Sequence, residues 1–488
     1  MITILLNDNS FEQDIRELLM AFFPGEDFSH KEKDAAVSRI TARGTQKEDG
    51  TFLLEVTERA AGEAVRTENA EFAVDRSVRK LAKNEIKRRL YRILRAITGT
   101  ELPWGTLTGI RPTKIALTML EEGKTEDEIR EYMHTVYFTG EEKTELAIDV
   151  AAREKKLLST LDYENGYSLY VGIPFCPTTC LYCSFTSFPI GVWQKKLDSY
   201  FEALFKELHY VAEKMKGRPL ETVYFGGGTP TSLDAEHLDR LITEVKNTFP
   251  MDRVQEFTVE AGRPDSITAE KLRVLKKHGI TRISINPQTM NQETLKLIGR
   301  HHTVDEVIEK FRIARELGMD NINMDIIVGL PGEDMEQVQT TLSKIRELAP
   351  DSLTVHSLAI KRAARLNTMK EQYKDYKITN TGEMIDETRK TAKEMGLVPY
   401  YLYRQKNMAG NFENVGYAVP GKECLYNILI MEEKQTIMAC GAGTTTKFLI
   451  PAENRHERAE NCKDVQQYID RVDEMIGRKE QLFGMLGD

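Results

Sequence analysis

Short apolar runs recur in the middle of the chain, and each is followed by a segment with the spacing of an amphipathic helix. Six of these runs are predicted as strands: Leu169–Pro174, Thr222–Phe225, Glu256–Val259, Arg282–Ile285, Asn321–Val328 and Ser352–Ala359. Strands that alternate with helices are typical of right-handed βαβ crossovers and a parallel sheet. The pattern predicts an α/β protein with an incomplete (β/α)6 barrel, in which working residues lie at the carboxyl ends of the strands.

The part of the chain before this pattern is predicted to fold separately. Strand-like runs at Ile2–Leu6 and Phe52–Val56, with a helical pattern near Phe11–Phe23, indicate a small α/β unit. Three further helices are predicted, near Asp75–Ile97, Glu126–Tyr137 and Gly140–Leu161. We therefore predict an N-terminal accessory domain over residues 1–163, a partial barrel over 164–375 and a C-terminal substrate-side, closing domain over 376–488.

The composition is that of an ordinary globular protein, with 41% hydrophobic and 29% charged residues among 488. No apolar run approaches the roughly 18 residues that a membrane span requires. Because the first residues also carry no basic leader, we expect a cytoplasmic protein with no membrane partner.

A net charge of −9 argues against bulk nucleic-acid binding. The helix predicted over residues 75–97 is the opposing feature, since basic side chains stand between its apolar positions. We expect its charged face to be solvated. An acidic protein partner, an anionic substrate or RNA are the alternatives.

Three of the six cysteines, Cys176, Cys180 and Cys183, lie close together where the first barrel strand ends. Three thiolates spaced in this way can hold one face of an iron–sulfur cube and leave its fourth iron without a protein ligand. Thiolates also bind zinc and copper(I), so the spacing alone does not identify the metal. A structural zinc site needs a fourth Cys or His, and the nearest histidine, His209, is 26 positions beyond Cys183. Buried cysteines without a metal are the remaining alternative.

Other residues with a candidate role also follow predicted strands. Gly226, Gly227 and Gly228 end the second strand, where consecutive glycines let a ligand approach the backbone closely. Their spacing is not that of a dinucleotide-binding turn, and a bare tight turn is the alternative interpretation. Glu260 and Gln288 end the third and fourth strands, and Glu260 could instead be a structural ion-pairing residue.

Asp325 lies inside an apolar parallel strand and therefore needs a partner, because burial of an unpaired carboxylate is costly. A ribose hydroxyl or an arginine would satisfy it. His301, His302 and His356 could donate protons, although isolated histidines are more often packing or surface residues.

Several segments together resemble the radical S-adenosylmethionine (SAM) superfamily, and within it the oxygen-independent coproporphyrinogen III dehydrogenase family. They are the loop YVGIPFCPTTCLYCSF, the turn GGGTPT, the run from Glu260 to Pro264, the Gln288 and Arg300 positions, and DIIVGLPGE. The resemblance covers about residues 165–450. It is closest to the HemZ-like subgroup, because of the long N-terminal extension and the segment from Tyr400 to Ala418.

The resemblance implies a [4Fe-4S] cluster on Cys176, Cys180 and Cys183 whose fourth iron binds SAM, and a reducing protein partner of the flavodoxin or ferredoxin kind. It also implies a set of residues that contact SAM: Tyr170, Tyr182, Gly227, Gly228, Glu260, Gln288, Arg300 and Asp325. The implied reaction is oxidative decarboxylation of two propionates of a tetrapyrrole, coproporphyrinogen III, to the vinyl groups of protoporphyrinogen IX.

Departures from the family pattern keep other functions open. Gly172 and Phe185 stand where the HemN-type enzyme has a histidine and a fourth cysteine. Residues 426–431 read YNILIM where related heme chaperones have HNxxYW. A heme-binding chaperone on the same scaffold and an RNA-modifying radical SAM enzyme are therefore the alternatives.

A substrate with several carboxylates would need basic groups and a flat apolar wall at the mouth of the barrel. Basic side chains interleaved with tyrosines are the candidates: Arg362, Arg365, Arg404 and Lys406, with Tyr400, Tyr401 and Tyr403. A solvated basic loop is the alternative. The segment Cys440–Thr444 resembles a family segment that follows a strand, and we expect it to close the mouth.

Overall fold

A computed structural model of the chain describes residues 1–60, 63–361, 363–373, 375–405, 412–450 and 455–484. The chain divides into two compact units. The first comprises Met1–Ala152 with Arg404–Phe412, and the second comprises Arg153–Tyr403 with Glu413–Asp488. The division into three domains stays a prediction.

Among its described residues the first unit contains a 5-stranded sheet and five α-helices of 9 to 20 residues. Its elements are β1 (Ile2–Leu6), α1 (Glu12–Phe22), β2 (Phe28–Ser29), β3 (Ile40–Gln46), β4 (Thr51–Ala60), β5 (Glu63–Ala73), α2 (Arg79–Thr98), α3 (Thr113–Glu121), α4 (Glu126–Tyr137) and α5 (Glu141–Leu158), whose last turns pass into the second unit. The strand order is β2-β1-β3-β4-β5. Apolar residues of β1, β3, β4, α1 and α2 share one buried core.

The basic helix is α2, and its first turn starts later than predicted because Asp75 instead accepts a hydrogen bond from the Ser77 backbone N–H (2.9 Å). Several of its guanidinium groups have partners inside the unit. Arg88 and Arg89 both bind Glu85, and Arg92 lies 5.2 Å from the centre of the Phe138 ring. These contacts give part of the charge on α2 a structural role.

The second unit begins with a strand, the cysteine loop and alternating helices and strands. Its elements up to the last predicted strand are β6 (Tyr167–Ile173), β7 (Phe175–Cys176), β8 (Phe188–Pro189), α6 (Ile190–Trp193), α7 (Leu197–Lys214), β9 (Leu220–Gly227), α8 (Ala235–Thr248), β10 (Glu256–Gly262), α9 (Ala269–Lys277), β11 (Arg282–Ile285), α10 (Gln292–Leu297), α11 (Val304–Glu316), β12 (Ile322–Val328), α12 (Met335–Leu348) and β13 (Ser352–Ser357). All six predicted strands are confirmed: β11 has the predicted bounds, and the bounds of the others shift by at most three residues, with β10 ending at Gly262 instead of Val259.

The remaining elements extend the same sheet on both sides. They are α13 (Arg365–Thr368), α14 (Lys370–Tyr373), α15 (Gly382–Glu394), β14 (Val398–Tyr403), β15 (Asn414–Ala418), α16 (Leu425–Glu432), β16 (Thr436–Cys440), β17 (Thr445–Ile450), β18 (Arg455–Glu460), α17 (Val465–Asp470) and α18 (Val472–Gly484).

The described strands of this unit, apart from the short β7–β8 pair, form an 11-stranded sheet in the order β14-β15-β13-β12-β11-β10-β9-β6-β16-β17-β18. The strands from β16 through β13 are parallel, and the outer strands on each side pair in the antiparallel sense. The order does not close on itself among the described strands. The predicted α/β fold with an incomplete barrel is therefore confirmed.

The second unit also contains a charge pair that is completely buried. Lys479 on α18 donates from Nζ to Glu207 Oε1 on α7 at 2.6 Å, and neither side chain is accessible to solvent. Glu207 further accepts hydrogen bonds from the Tyr468 hydroxyl (2.5 Å) and the Gly441 N–H (2.8 Å). The pair ties the last helix to the loop after β16.

Within the described residues, no helix is both long enough and apolar enough to cross a membrane.

Candidate functional site

The cysteine loop leaves the sheet at the carboxyl end of β6. Cys176 and Cys180 are buried, and Cys183 is partly exposed. The Cys183 N–H donates to the Cys180 carbonyl (3.2 Å), which curls the loop, and the Leu181 N–H donates to Ile298 O (2.9 Å), which fixes it to the end of α10. The loop is thus held by backbone hydrogen bonds that do not involve the thiols.

Burial, together with a smaller contribution from the neighbouring Cys183 and Cys180, raises the pKa of the Cys176 thiol to about 11. The Thr229 hydroxyl, which lies 3.4 Å from Cys176 Sγ, and the Arg263 charge lower the Cys176 pKa. Arg263 Nη1 also lies 3.7 Å from Cys180 Sγ. A positive metal centre would remove the thiol protons, since only thiolates act as ligands.

Among the described residues no three His, Cys, Asp or Glu side chains are close enough together to hold a single metal ion. This does not conflict with a cluster. In a cube each cysteine binds a different iron, so the three sulfur atoms stand farther apart than the ligands of one ion.

The glycine turn packs directly against the cysteine loop. The Gly228 N–H donates to Ile173 O (2.8 Å) and the Thr229 N–H to Phe175 O (2.7 Å). A Cβ atom at Gly228 would lie 2.6 Å from Phe175 O and 3.0 Å from Cys176 Sγ, so no side chain fits there. Gly227 has φ +106°, which a residue with a side chain rarely adopts.

We expect Gly228→Ala to lower the rate of reductive SAM cleavage by about 10²-fold, because the added methyl group must displace Cys176 or its backbone and shifts of about 1 Å have effects of this size. The readout is 5′-deoxyadenosine formed by anaerobically reconstituted protein. Gly191→Ala is the matched control, since a Cβ there meets nothing within 4 Å. Equal rates for the two variants would contradict the close packing.

Beyond the glycine turn, a tyrosine group and a carboxylate converge. The Tyr170, Tyr224 and Tyr426 rings are stacked on one another, with 4.4 Å between the centres of Tyr224 and Tyr426. The Tyr224 hydroxyl donates to Glu260 Oε1 (2.5 Å). A Cβ at Gly226 would lie 3.0 Å from the Tyr170 hydroxyl and 3.3 Å from Glu260 Cδ, so this glycine leaves space beside both groups.

Burial raises the pKa of Glu260 to about 7, and the Asp325 charge adds to the rise although the Tyr224 hydrogen bond opposes it. A nearby cation would stabilise the ionised form of a carboxylate in this setting. The ammonium group of an amino acid is such a cation.

Gln288 and Arg300 lie beside the ends of β11 and β12. Gln288 adopts φ +67° and bridges the two strands through Gln288 N–H to Asp325 O and Ile327 N–H to Gln288 O, each 2.9 Å. Arg300 donates to the Asn286 carbonyl (2.5 Å) and to the Tyr182 hydroxyl (3.2 Å). The Gln288 side-chain oxygen and Arg300 Nε are buried without a hydrogen-bond partner within the described residues.

Asp325 lies in β12, and β13 is the neighbouring strand in the sheet. It accepts a hydrogen bond from Asn323 Nδ2 (2.6 Å), and its Oδ2 is 3.8 Å from His356 Nε2. Although burial opposes ionisation, the hydrogen bond and charge of His356 hold the pKa of Asp325 below its usual range.

The other histidines and the predicted basic residues lie elsewhere. His301 is exposed, and His302 is buried, where loss of solvation lowers its pKa to about 3. Arg365 is exposed. Arg404 is buried in the first unit, where it donates to Leu107 O (2.6 Å). Arg362 and Lys406 lie outside the described residues.

The segment Cys440–Thr444 follows β16 as expected and packs against the strand that leads to the cysteines. A Cβ at Gly172 would lie 2.3 Å from the Thr444 methyl carbon, and one at Gly441 would lie 2.4 Å from Gly172 O. A histidine at position 172 would not fit here, which gives a physical reason for the departure noted in the sequence.

Sequence reasoning missed two residues that shape the site, Arg263 and Asn286. Arg263 is buried, forms an ion pair with Asp265 (2.6 Å) and reaches Cys180. Asn286 accepts hydrogen bonds from both Arg300 and the Asp325 N–H. The position of Arg263 one residue before Pro264, next to the third strand end, is a signal that could have identified it.

The site fits an iron–sulfur cluster and SAM. Three thiols in one loop match a cube with one open iron. Buried polar atoms require partners, and the partnerless atoms of Gln288 and Arg300 lie near the loop, on the side where Glu260 would bind an ammonium group and Gly226 leaves space. Among the predicted residues, Tyr182 is hydrogen-bonded to Arg300 and Gln288 to Asp325. Their role as SAM contacts stays a prediction.

Comparison with known proteins agrees with this geometry. Residues 170–345 match the Radical SAM superfamily. The oxygen-independent coproporphyrinogen-III oxidase-like protein HemZ of Bacillus subtilis (strain 168) is 44% identical over 412 residues, covering 83% of this chain and 82% of that protein.

Two further relatives match a shorter part. Heme chaperone HemW of Bacillus subtilis (strain 168) is 37% identical over 40% of this chain and 50% of its own length. The oxygen-independent coproporphyrinogen III oxidase of Escherichia coli (strain K12) is 33% identical over 40% of this chain and 42% of its own length. The solved structure of coproporphyrinogen III oxidase (HemN) from Escherichia coli shares the fold, with a TM-score of 0.52, 24% identity, and coverage of 66% of this chain and 72% of that one.

The fold and the cysteine loop define a radical SAM protein, a class that uses a [4Fe-4S] cluster and S-adenosylmethionine. Within this class the similarity extends far outside the barrel. The chain belongs to the family of oxygen-independent coproporphyrinogen-III oxidase-like proteins of the HemZ type.

Proposed function

We propose that this protein is an oxygen-independent coproporphyrinogen III dehydrogenase. It converts two propionate side chains of coproporphyrinogen III to vinyl groups and yields protoporphyrinogen IX. Each propionate loses carbon dioxide, a hydrogen atom that goes to the deoxyadenosyl group derived from SAM, and one electron that passes to a one-electron acceptor of the iron–sulfur or flavin class. A tetrapyrrole is thus the proposed substrate, and a flavodoxin- or ferredoxin-like protein is the proposed reductant.

When bound, the cluster and SAM would supply the radical chemistry for removal of a hydrogen atom at the propionate β-carbon. Cys176, Cys180 and Cys183 hold the cluster. Glu260 binds the ammonium group of SAM, and its partner Tyr224 keeps the carboxylate oriented at 2.5 Å. Asp325 accepts hydrogen bonds from ribose hydroxyls.

The other proposed SAM contacts provide open backbone, buried polar atoms or a bordering ring. Gly227 and Gly228 leave the backbone open beside Cys176. Gln288 and Arg300 offer their buried polar atoms, and Tyr182 fixes the Arg300 guanidinium at 3.2 Å. Tyr170 borders the same space.

The position of Tyr426 favours an enzyme over a heme chaperone. Tyr426 takes the place of the histidine in the chaperone motif, and its ring stacks on Tyr170 and Tyr224 with interplanar angles of 23° and 25°. Because the Tyr426 ring is packed against two other rings, it forms part of the wall of the site. The similarity to HemW still makes stoichiometric heme binding the second candidate function.

An anaerobic product assay distinguishes the two. Reconstituted protein, SAM and a chemical reductant are incubated with coproporphyrinogen III, and the products are separated by chromatography after oxidation to porphyrins. We expect a product with two propionates fewer, together with 5′-deoxyadenosine. Unchanged coproporphyrinogen and one tightly bound heme per chain would contradict the proposal and support the chaperone.

A further inference from the structure

The segment that joins the cysteine loop to α7 carries two strongly exposed apolar side chains. Phe185 and Val192 expose 76% and 74% of their surface, more than any other large hydrophobic side chain among the described residues. Trp193, next to Val192, is partly exposed. Single exposed hydrophobic residues are common, but an exposed apolar residue beside an aromatic ring is typical of protein interfaces. We therefore consider this part of the surface as a contact for another protein.

The segment lies directly beside a predicted cluster ligand. β8 pairs with β7 in parallel, with Pro189 opposite Cys176, and neighbouring strands stand about 5 Å apart. The centre of the Trp193 ring lies 6.5 Å from that of Phe175 and 5.8 Å from that of Phe188. Because Cys176 is buried, an electron that reaches its iron from this side crosses one strand and one layer of rings.

The segment also stands away from the residues proposed to hold SAM. Pro174 O accepts a hydrogen bond from the Phe188 N–H on β8 (2.8 Å), whereas the next carbonyl, Phe175 O, accepts from the Thr229 N–H of the glycine turn (2.7 Å). Carbonyls of successive residues in an extended chain point in opposite directions, so β8 and the glycine turn lie on opposite edges of β7. A protein bound on the β8 side would therefore leave the SAM side open.

The charged side chains that follow Val192 are positive. Lys195 and Lys196 are both exposed. Lys196 Nζ lies 5.5 Å from the centre of the Trp193 ring and donates to the Gln466 side-chain oxygen (2.5 Å). These contacts of Lys196 are with uncharged groups, so its positive charge remains available to a partner.

Two acidic residues lie near these lysines, and both have partners. Asp198 accepts a hydrogen bond from Arg240 (2.7 Å), and Asp470 accepts one from the Gln466 amide (2.8 Å). The whole chain carries a net charge of −9, so this basic surface differs in sign from the protein as a whole. Opposite charges across an interface steer association and orient the partner, which favours an acidic protein here.

We propose that a docking surface for an acidic one-electron carrier protein lies beside Cys176 and consists of Val192, Trp193, Lys195 and Lys196. This inference rests on the proposed function, which requires a reductant. The apolar pair supplies contact area close to the cluster, and the lysines orient the carrier. One electron leaves the carrier and reduces the cluster by one electron. No bond in this chain forms or breaks, and no proton passes between the two proteins.

The test is equilibrium binding of flavodoxin, an acidic flavin carrier, to the full-length reconstituted chain, measured by anaerobic calorimetry at low ionic strength. The first variant is Val192→Asp, and the second combines Lys195→Glu with Lys196→Glu. We expect each to weaken binding by about 10-fold or more, because each places negative charge opposite an acidic partner. Added salt should weaken binding by the wild type and reduce the difference.

A second measurement follows reduction of the cluster by rapid mixing, without SAM or tetrapyrrole. With reduced flavodoxin below saturation, both variants should be reduced about 10-fold more slowly than the wild type. Titanium(III) citrate is a small reductant that needs no docking surface, so its rates should agree within about twofold. Equal slowing with both reductants would show that the cluster itself had changed and would overturn the inference.

Lys390→Glu with Lys393→Glu is the matched control. Both lysines are exposed on α15, and the double substitution changes the net charge by the same amount. This variant should bind flavodoxin as the wild type does. Equal affinities in the control and in both docking-surface variants would overturn the inference. Val192→Asp alters a side chain that is 74% exposed, so it tests the surface even if the lysine substitutions disturb the turn before α7.

Binding and cluster reduction are independent of the tetrapyrrole reaction. A protein that loses flavodoxin affinity in these variants but converts no coproporphyrinogen would keep the docking surface and reject the proposed function. A protein that converts coproporphyrinogen with flavodoxin at the wild-type rate in both variants would keep the function and reject the docking surface.

Discussion

Cys180→Ala is expected to abolish reductive cleavage of SAM and to remove most of the iron and sulfide from the protein. With two thiolates left, a cube has two irons without a protein ligand, and the site no longer distinguishes the one that should bind SAM. Iron and sulfide analysis, visible absorption and 5′-deoxyadenosine formation measure the effect. The loss of activity should exceed about 10³-fold, as expected when a group required for the chemistry is removed.

Cys462→Ala is the matched control for this prediction. Cys462 is partly exposed and lies in the segment before α17, where its N–H contacts the Met475 sulfur (3.2 Å). We expect this variant to keep the cluster and the cleavage activity. If Cys180→Ala also retained both, the assignment of the cluster to the three-cysteine loop would be wrong.

Lys479→Met is expected to lower the free energy of unfolding of the second unit by about 3–5 kcal/mol. The substitution leaves the Glu207 carboxylate charged and buried without its cation, and breaking a buried pair in this way has costs of this size. Urea unfolding followed by circular dichroism measures the change as a lower midpoint.

The double variant Glu207→Gln with Lys479→Met removes both charges and should recover part of the lost stability, because an uncharged amide can still bond to Tyr468 and Asn461. The exposed pair between Lys214 on α7 and Glu480 on α18, the same two helices, provides the contrast. Glu480→Gln should leave the midpoint nearly unchanged, since exposed pairs contribute little. A midpoint for Lys479→Met equal to that of Glu480→Gln would refute a role for the buried pair.

The barrel could be predicted from the sequence because its parallel strands are buried on both faces and so read as short apolar runs between amphipathic helices. Glu256–Gly262 and Arg282–Ile285 illustrate this, with four buried residues at the start of each. The cysteine loop was also predictable, because its three ligands lie in one short segment, Cys176–Cys183, and can be recognised without knowledge of the tertiary structure.

Contacts that depend on distant parts of the chain could not be predicted. Tyr426 and Tyr170 are far apart in sequence, and their stacking depends on how α16 follows β15. Arg404 shows the same limit in reverse: its place beside Tyr403 suggested a substrate contact, but its backbone N–H and guanidinium bond to Ile110 and Leu107. Local pattern gives a residue's neighbours along the strand, while tertiary packing decides which unit it serves.

That packing has a consequence for truncation. The chain leaves the second unit after Tyr403, contributes Arg404–Phe412 to the first, and returns at Glu413. A shortened protein that began at residue 153 would keep β14 and β15 but would strip Trp104, Leu107 and Ile110 away from the Arg404 side chain and backbone. In such a fragment the segment Arg404–Phe412, directly after Tyr403, would therefore lose these contacts. Weakened substrate binding by the fragment would then not show that the missing residues touch the substrate.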